Sequence, residues 1–127
     1  MMFNLFISAL VISAAAAKSF SYTPEALKDQ ITALPGTDKL NINFNQFSGY
    51  LSLANDANNT KHMHYWLVES MSDPAKDPLA FWTNGGPGCS GLLGFMTEQG
   101  PFRVNKDLTL SMNDFAWNQK TNMVILI

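Results

Sequence analysis

Ten consecutive residues in the second half of the chain have the composition of a cage of backbone amides. Residues 82–91 read Trp-Thr-Asn-Gly-Gly-Pro-Gly-Cys-Ser-Gly and directly follow the apolar residues Leu79-Ala80-Phe81. Glycines let the backbone turn tightly and let another molecule approach the peptide units, and proline fixes one φ angle. Backbone N–H groups gathered in this way stabilise negative charge, either on a bound anion or on the oxyanion of acyl transfer. This segment is therefore the first candidate for a functional site.

Other uses of the same segment have to be weighed. A phosphate-binding P-loop requires a Lys-Ser/Thr pair after the glycines, and Cys89-Ser90-Gly91 has neither the lysine nor the spacing. A plain strand-to-helix turn would use the same glycines without any chemistry. Ser90 as a nucleophile lacks the glycine that a nucleophile elbow requires two residues later, because Leu92 stands there.

A catalytic triad can also be drawn around Ser90. Both histidines of the chain precede this serine, so the triad would combine His64 with Asp73 or Asp77. Only the order of the residues supports it, whereas triads are defined by geometry. His62 and His64 lie on one face of a predicted strand, and a metal site would need further ligands, so a solvated strand face is expected.

Composition limits the possible partners. The chain has 127 residues, enough for one small domain, and a formal net charge of −2 without any run of lysines or arginines. A nucleic-acid partner is not expected, because neutralising phosphates requires a basic face. No residue pattern points to a cofactor.

The first 17 residues predict a secretory signal peptide. They are apolar and end in Ala14 to Ala17, which favours cleavage after Ala17, although only the α-amino group supplies positive charge. The run is too short to span a bilayer as a helix. We therefore expect residues 18–127 to enter the secretory pathway without a membrane anchor.

An oxidising compartment affects two further residues. Asn58-Asn59-Thr60 is a sequon in a polar stretch, so Asn58 is a candidate glycosylation site. Cys89 is the single cysteine of the chain, so its partner is missing, belongs to another chain, or does not exist. A buried free thiol is the alternative for Cys89.

Periodicity and turn residues predict an alternation of strands and helices. Apolar alternation and residues rich in Tyr, Trp and Val predict strands, while Thr23-Pro24 and Gly100-Pro101 mark helix ends. The predicted elements are a helix over 24–34, an antiparallel hairpin over 47–53 and 62–69, a strand buried on both faces over 79–82, a helix over 91–99, a second small hairpin or an irregular turn over 102–113, and an apolar strand over 123–127. A chain that ends within a strand leaves apolar edges unpaired, so we expect part of a larger domain.

Several segments of the sequence together have the order and the residue types of one known family. They are Phe47–Leu51, His64–Ser70, Asp77–Leu79, Trp82–Ser90, Glu98–Phe102, Leu110, Asn113, Trp117-Asn118 and Asn122–Val124. In these residues the sequence resembles the serine carboxypeptidases of the cathepsin A and carboxypeptidase Y type. The resemblance covers nearly everything after Leu34 and is most specific in the Asn-Gly-Gly-Pro-Gly-Cys-Ser block. Thr83 stands where the family usually has leucine, and Gly91 where it usually has a second serine; neither change removes a group with a chemical role.

This resemblance implies the amino-terminal part of an α/β-hydrolase fold, in which an antiparallel hairpin leads into a mostly parallel sheet. It implies a serine-type carboxypeptidase, which releases C-terminal residues from peptides by means of a Ser-Asp-His triad. In the family the nucleophile lies in a Gly-x-Ser-x-Gly elbow well beyond this segment, and the aspartate and histidine come later still. The resemblance therefore implies that this chain lacks the triad and is inactive alone; the alternative is a non-catalytic product that binds peptide C-termini or a partner.

The resemblance also assigns roles to individual residues. Gly86, with Gly85 beside it, matches the oxyanion-hole loop, and Asn84 and Glu98 match residues that recognise the terminal carboxylate of the substrate, supported by Trp82. Asn84 can donate its amide hydrogens to that carboxylate, whereas Glu98 can bind it only if the two carboxyl groups share a proton. Such a site should bind better in acid, which suits a lysosomal or vacuolar enzyme, with an extracellular one as the alternative.

One role implied by the resemblance is structural. Cys89 matches a half-cystine whose partner lies further along the chain in the family.

Overall fold

The computed structural model describes residues 21–53, 58 and 60–127. The predicted signal peptide of residues 1–17 lies outside them. The described elements, in chain order, are α1 (Pro24–Lys28), β1 (Gln46–Ser52), β2 (His62–Val68), β3 (Leu79–Trp82), α2 (Leu92–Thr97), β4 (Phe102–Val104), β5 (Leu110–Met112), a 3₁₀ helix (Trp117–Gln119) and β6 (Asn122–Leu126). Neither described helix is long and apolar enough to cross a membrane.

Four of these strands form one mixed sheet in the order β1-β2-β6-β3. The predicted hairpin is confirmed, because β1 and β2 pair antiparallel from Gln46 opposite Val68 to Ser52 opposite His62. β2 pairs antiparallel with β6, whereas β3 runs parallel to β6. The second predicted hairpin is also present, as the antiparallel pair of β4 and β5. The chain is therefore of the α/β class, with an antiparallel hairpin that leads to the first parallel strand pair.

The first helix is shorter than predicted. Thr23 caps it as expected, since its Oγ1 accepts a hydrogen bond from the Ala26 N–H at 3.2 Å, and Pro24 occupies its first position. It ends at Lys28 because the next residues pair with β1 instead of continuing the helix. The Ser48 N–H donates to the Asp29 carbonyl and the Ile31 N–H donates to the Gln46 carbonyl, both at 2.8 Å. The prediction of a helix up to residue 34 is wrong for this reason.

The core lies on one face of the sheet. Apolar side chains of β2 and β6 alternate towards α2, and the Trp66 ring packs on the Phe95 ring with their centroids 4.9 Å apart. Apolar burial of this kind is the main term that stabilises the fold. The core residues are Phe44, Trp66, Val68, Phe95, Phe102, Met123 and Ile125.

The opposite face of the sheet is less covered in the part of the chain that the structure describes. β3 is an edge strand, and Leu79 and Phe81 on it are 53% and 67% exposed. The prediction that this strand is buried on both faces is therefore wrong for the described chain. An apolar run indicates a buried strand, but the edges and faces that neighbours cover depend on the rest of the fold.

Two tyrosine hydroxyls donate hydrogen bonds to carboxylates next to the hairpin of β1 and β2. The Tyr22 hydroxyl donates to both carboxylate oxygens of buried Glu69, at 2.7 and 2.8 Å, and the Tyr65 hydroxyl donates to Asp29 at 2.6 Å. Burial, reinforced by the bond to the carboxylate and its charge, raises the pKa of each tyrosine to about 12. These bonds fix the segment around α1 to the strands behind it.

Candidate active site

The glycine loop, defined as residues 83–91, connects the end of β3 to the start of α2. Gly86 and Gly88 have φ angles of +83° and +93°, which side chains other than glycine adopt only with strain. Gly91 is buried against β6, and a Cβ there would meet the Leu126 carbonyl oxygen and lie 2.9 Å from Ile125 Cγ2. The sequence thus produces a loop that turns sharply and then packs its last residue onto the sheet.

The centre of the glycine loop is open to solvent. Residues 85–90 are all exposed, and a Cβ on Gly85 would meet nothing within 4 Å. Within the described part of the chain, the N–H groups of Gly85 and Gly86 have no hydrogen-bond acceptor. Two adjacent donors are therefore available to an external negatively charged group.

Asn84 is held by the last residue of β3. The Trp82 indole Nε1–H donates to Asn84 Oδ1 at 2.8 Å, and both side chains are half-buried. Because the oxygen of the amide is used in this bond, the two hydrogens on Nδ2 remain to bind an acceptor. The structure brings Trp82 and Asn84 together beside the exposed glycines.

Glu98 lies at the C-terminal end of α2, with its backbone fixed and its side chain exposed. Its N–H donates to the Gly94 carbonyl at 2.7 Å, and its own carbonyl accepts from Asn113 Nδ2 at 3.1 Å and from Arg103 Nη2. Among the described residues its carboxylate takes part in no ion pair. This carboxylate is therefore held on an ordered backbone but is not neutralised by a neighbouring cation.

Sequence reasoning did not identify Gln99 as part of this site. The side chain is 2% exposed. Its amide satisfies both of its neighbours only with Oε1 towards Trp82 Nε1 and Nε2 towards the Gly94 carbonyl, each at 2.9 Å. The one signal in the sequence is its position between Glu98 and Gly100, which does not reveal that a polar side chain is buried there.

The alternative triad around Ser90 is not formed. His64 Nε2 lies 2.8 Å from Ser48 Oγ, and Ser90 Oγ accepts from the Leu92 N–H at 3.2 Å at the start of α2. Asp77 accepts from the Ser70 hydroxyl and the Asp73 N–H, and the Ser70 bond is the largest cause that lowers the pKa of Asp77. Each member of that triad is thus engaged with a different local partner.

The other predicted positions are the two histidines of β2, Asn58 and Cys89. The histidines of β2 belong to no metal-binding cluster, since the described residues contain no group of three metal-ligating side chains. Asn58 is exposed in a turn, as glycosylation would require. Cys89 is an exposed free thiol, and a Cβ on Gly86 would lie 3.9 Å from its Sγ. The alternative of a buried thiol at Cys89 is therefore wrong.

The hairpin, the parallel strand pair and the strand–loop–helix connection with its exposed amides define the amino-terminal part of an α/β-hydrolase. The profile of the serine carboxypeptidase family matches residues 35–126, and the chain belongs to this family. The chain is similar to the mouse lysosomal protective protein, with 47% identity over 100 residues that cover 78% of this chain and 20% of that protein. It is also similar to the serine carboxypeptidase ctsa-3.1 of Caenorhabditis elegans, with 51% identity over 100 residues that cover 78% of this chain and 17% of that protein.

A solved structure has the same fold. The prohormone-processing carboxypeptidase Kex1(delta)p of Saccharomyces cerevisiae superposes with a TM-score of 0.65 and 28% sequence identity, over 82% of this chain and 24% of that one. The chain thus spans a fifth or less of the length of the two curated relatives described above.

Proposed function

We propose that this chain carries the oxyanion-binding and carboxylate-recognition half of the active site of a serine-type carboxypeptidase, which releases C-terminal residues from peptides. The observation that carries the proposal is the Trp82–Asn84 hydrogen bond at the end of β3, directly beside the exposed amides of Gly85 and Gly86. Membership of the serine carboxypeptidase family supports the same reaction.

The glycine loop stabilises the transition state in this proposal. When a nucleophile attacks the scissile carbonyl, its oxygen becomes an oxyanion, and the Gly86 N–H donates a hydrogen bond to it, with Gly85 beside it. A donor of this kind contributes on the order of 3 kcal/mol of transition-state stabilisation. The positive φ of Gly86 is part of the turn that presents the N–H group.

Asn84 and Glu98 recognise the terminal carboxylate of the peptide. The Nδ2 hydrogens of Asn84 are available because Trp82 occupies its oxygen. Glu98 contributes when one proton is shared between its carboxyl group and that of the peptide, because two bare carboxylates would repel each other. Recognition is consequently strongest in acid, and a peptide whose C-terminus is amidated is a poor ligand.

We expect the isolated chain to hydrolyse no peptide bonds. In this proposal the family's catalytic serine, aspartate and histidine are not among residues 1–127, and an oxyanion site without a nucleophile has no intermediate to stabilise. Measurable peptide hydrolysis by the purified chain, abolished by a serine-directed fluorophosphonate, would contradict this expectation.

The proposal includes a secretory location. It combines a signal peptide of residues 1–17 with a glycan on Asn58 and a disulfide from Cys89 to a cysteine outside this chain. The exposure of Asn58 and Cys89 supports the last two. The mouse relative is named as a lysosomal protein, which favours a lysosome or vacuole over release from the cell.

A chimera tests the activity directly. Residues 35–126 of this chain replace the matching segment of the mouse relative, which supplies the remainder of the enzyme. The chimera should release the last residue of an N-blocked dipeptide with a free carboxylate, and Asn84→Ala should raise KM by about tenfold, as loss of a hydrogen bond to a charged group predicts. A chimera that folds and is secreted like its parent but has no activity would overturn the proposal.

A further inference from the structure

We infer that Gln99 is a positioning residue that connects the two halves of the proposed carboxylate site. The inference rests on the proposed function of Asn84 and Glu98. Gln99 follows Glu98 directly in the chain, and its side chain contacts the indole that holds Asn84. Gln99 therefore links the two carboxylate-site residues: it is covalently joined to Glu98, after α2, and it contacts the indole that bonds Asn84, after β3.

The indole of Trp82 lies between two acceptors. Its single N–H faces Asn84 Oδ1 at 2.8 Å and Gln99 Oε1 at 2.9 Å. One hydrogen cannot point straight at two acceptors, so the ring is held in the plane that serves both. Without the Gln99 oxygen, the indole keeps only one of its two acceptors, and its ring can change orientation. The hydrogen bond from the indole then no longer fixes the orientation of the Asn84 amide.

Gln99 is itself rigidly held. Its Nε2 donates to the Gly94 carbonyl at 2.9 Å, and its backbone carbonyl accepts from the Trp117 N–H at 2.9 Å. The Trp117 ring stands edge-on to the Trp82 ring with their centroids 5.8 Å apart. The backbone of Gln99 and its side chain thus fix the indole from two directions.

Gly94 provides the space for this contact. A Cβ at Gly94 would lie 2.8 Å from Trp82 Nε1 and 3.0 Å from both amide atoms of Gln99. Real Cβ atoms essentially never make a contact of 2.8 Å, and 3.0 Å is tighter than most, so the indole and the amide meet over α2 because this helical position has no side chain. The packing supports a dedicated contact between Trp82 and Gln99.

The first experiment needs no substitution. In the full chain, an NMR spectrum should show a nuclear Overhauser contact between the Trp82 indole Hε1 and the side chain of Gln99. Absence of that contact in a folded sample would overturn the inference whatever happens to activity. Because no ligand is present, this result does not depend on the proposed function.

The second experiment compares three variants in the chimera described above. Gln99→Met keeps the length of the side chain but removes both hydrogen bonds, Gln99→Glu keeps an acceptor for Trp82, and Gln119→Met is a matched control at an exposed glutamine. Gln99→Met should raise KM for the free-acid dipeptide about fivefold, as loss of the hydrogen bond to Trp82 predicts, with kcat changed less than twofold. Gln99→Glu should recover part of that loss, and Gln119→Met should change nothing.

The outcomes separate the two claims. If the unsubstituted chimera binds free-acid and amidated peptides equally, the proposed function fails. The proposed function stands if the unsubstituted chimera prefers the free acid. The positioning role then fails in either of two cases: folded Gln99→Met has the same KM as the unsubstituted chimera, or it loses as much affinity for the amidated peptide, used as an inhibitor, as for the free acid. Should Gln99→Met not fold, Gln99→Glu and the Overhauser contact decide the question.

Discussion

The centre of the glycine loop and the buried side chains beneath it differ in their exposure to solvent and in their hydrogen bonding. Residues 85–90 are exposed, and the Gly85 and Gly86 N–H groups have no acceptor in the described structure, whereas Phe95 and Gln99 below them are 0% and 2% exposed. The two unpaired amides add no internal hydrogen bond to the loop, so its conformation receives no support from them. Its geometry depends instead on the buried groups at its two ends. Substitutions of the buried side chains should therefore mainly change stability, whereas Asn84→Ala within the loop should mainly change ligand binding.

The largest effect is expected in the core beneath α2. Phe95→Ala removes a fully buried ring that packs against Trp66, and should lower the free energy of unfolding by about 3–5 kcal/mol. Phe115→Ala is the control, because that ring is 86% exposed and its loss should cost less than about 0.5 kcal/mol. Urea titrations followed by circular dichroism measure both values. Similar losses for the two variants would contradict the location of the core.

A smaller effect is expected at the contact between α2 and Trp82. Alanine normally favours a helix over glycine by about 1 kcal/mol. Gly94→Ala should nevertheless destabilise the chain by about 1–3 kcal/mol, because its Cβ overlaps Trp82 Nε1 and Gln99. Gly85→Ala, where a Cβ meets nothing, should stay within about 0.5 kcal/mol in the same urea titration. A stabilised Gly94→Ala would show that helix propensity outweighs this packing.

Within the glycine loop, backbone conformation should matter more than space. Gly86→Ala places a side chain at a φ of +83°, and should cost about 1–2 kcal/mol although the nearest atom to its Cβ, Cys89 Sγ, is 3.9 Å away. Gly85→Ala again serves as the control, since its φ lies outside the left-handed region. Equal stability of the two variants would show that the loop does not hold Gly86 in this conformation.

The last effect appears only in alkaline solution, at Tyr22 and at Tyr65 of β2. The pKa values of Tyr22 and Tyr65 are raised from 10.0 to about 12, so these phenols stay protonated to a higher pH in the folded chain than in the unfolded one. The stability they contribute is complete below pH 10 and is lost as the pH rises through the interval up to about 12.

A variant comparison isolates this contribution. Melting temperatures of the unsubstituted chain and of the double variant Tyr22→Phe, Tyr65→Phe are measured from about pH 8 to about pH 12. The difference between the two proteins should shrink as the pH rises, because the variant has no phenols at these positions. A difference that stays constant over this interval would contradict the raised pKa values.

The sequence predicted the local elements well and the long-range ones less well. The hairpin could be predicted because the alternation of apolar residues in β1 and β2 is a local signal. The strand–loop–helix connection could be predicted because the glycines that form it follow one another directly after Trp82. The end of α1 could not, because it depends on pairing of residues 29–31 with β1, some 16 residues away. Apolar residues of β3 likewise do not reveal that it forms an edge of the described sheet.

Some residues of the candidate site can be predicted from the sequence alone, and others cannot. Asn84, Gly85 and Gly86 are found from one contiguous motif. Gln99 is not, because a buried glutamine is recognised only once its partners are known, and Trp82 lies 17 residues earlier in the chain. Residues proposed to make the chemistry can thus be predicted from the sequence more readily than the residue proposed to position them.

An NMR titration of the isotope-labelled chain tests the central claim most directly. Two N-acetylated peptides of the same sequence are added in mildly acidic solution, one with a free C-terminal carboxylate and one with an amide. The account predicts that the free acid shifts the side-chain amide signals of Asn84 and the backbone signals next to Glu98, and that the amidated peptide leaves them unchanged. Equal shifts with both peptides, or none with either in a folded sample, would contradict recognition of a terminal carboxylate by this chain.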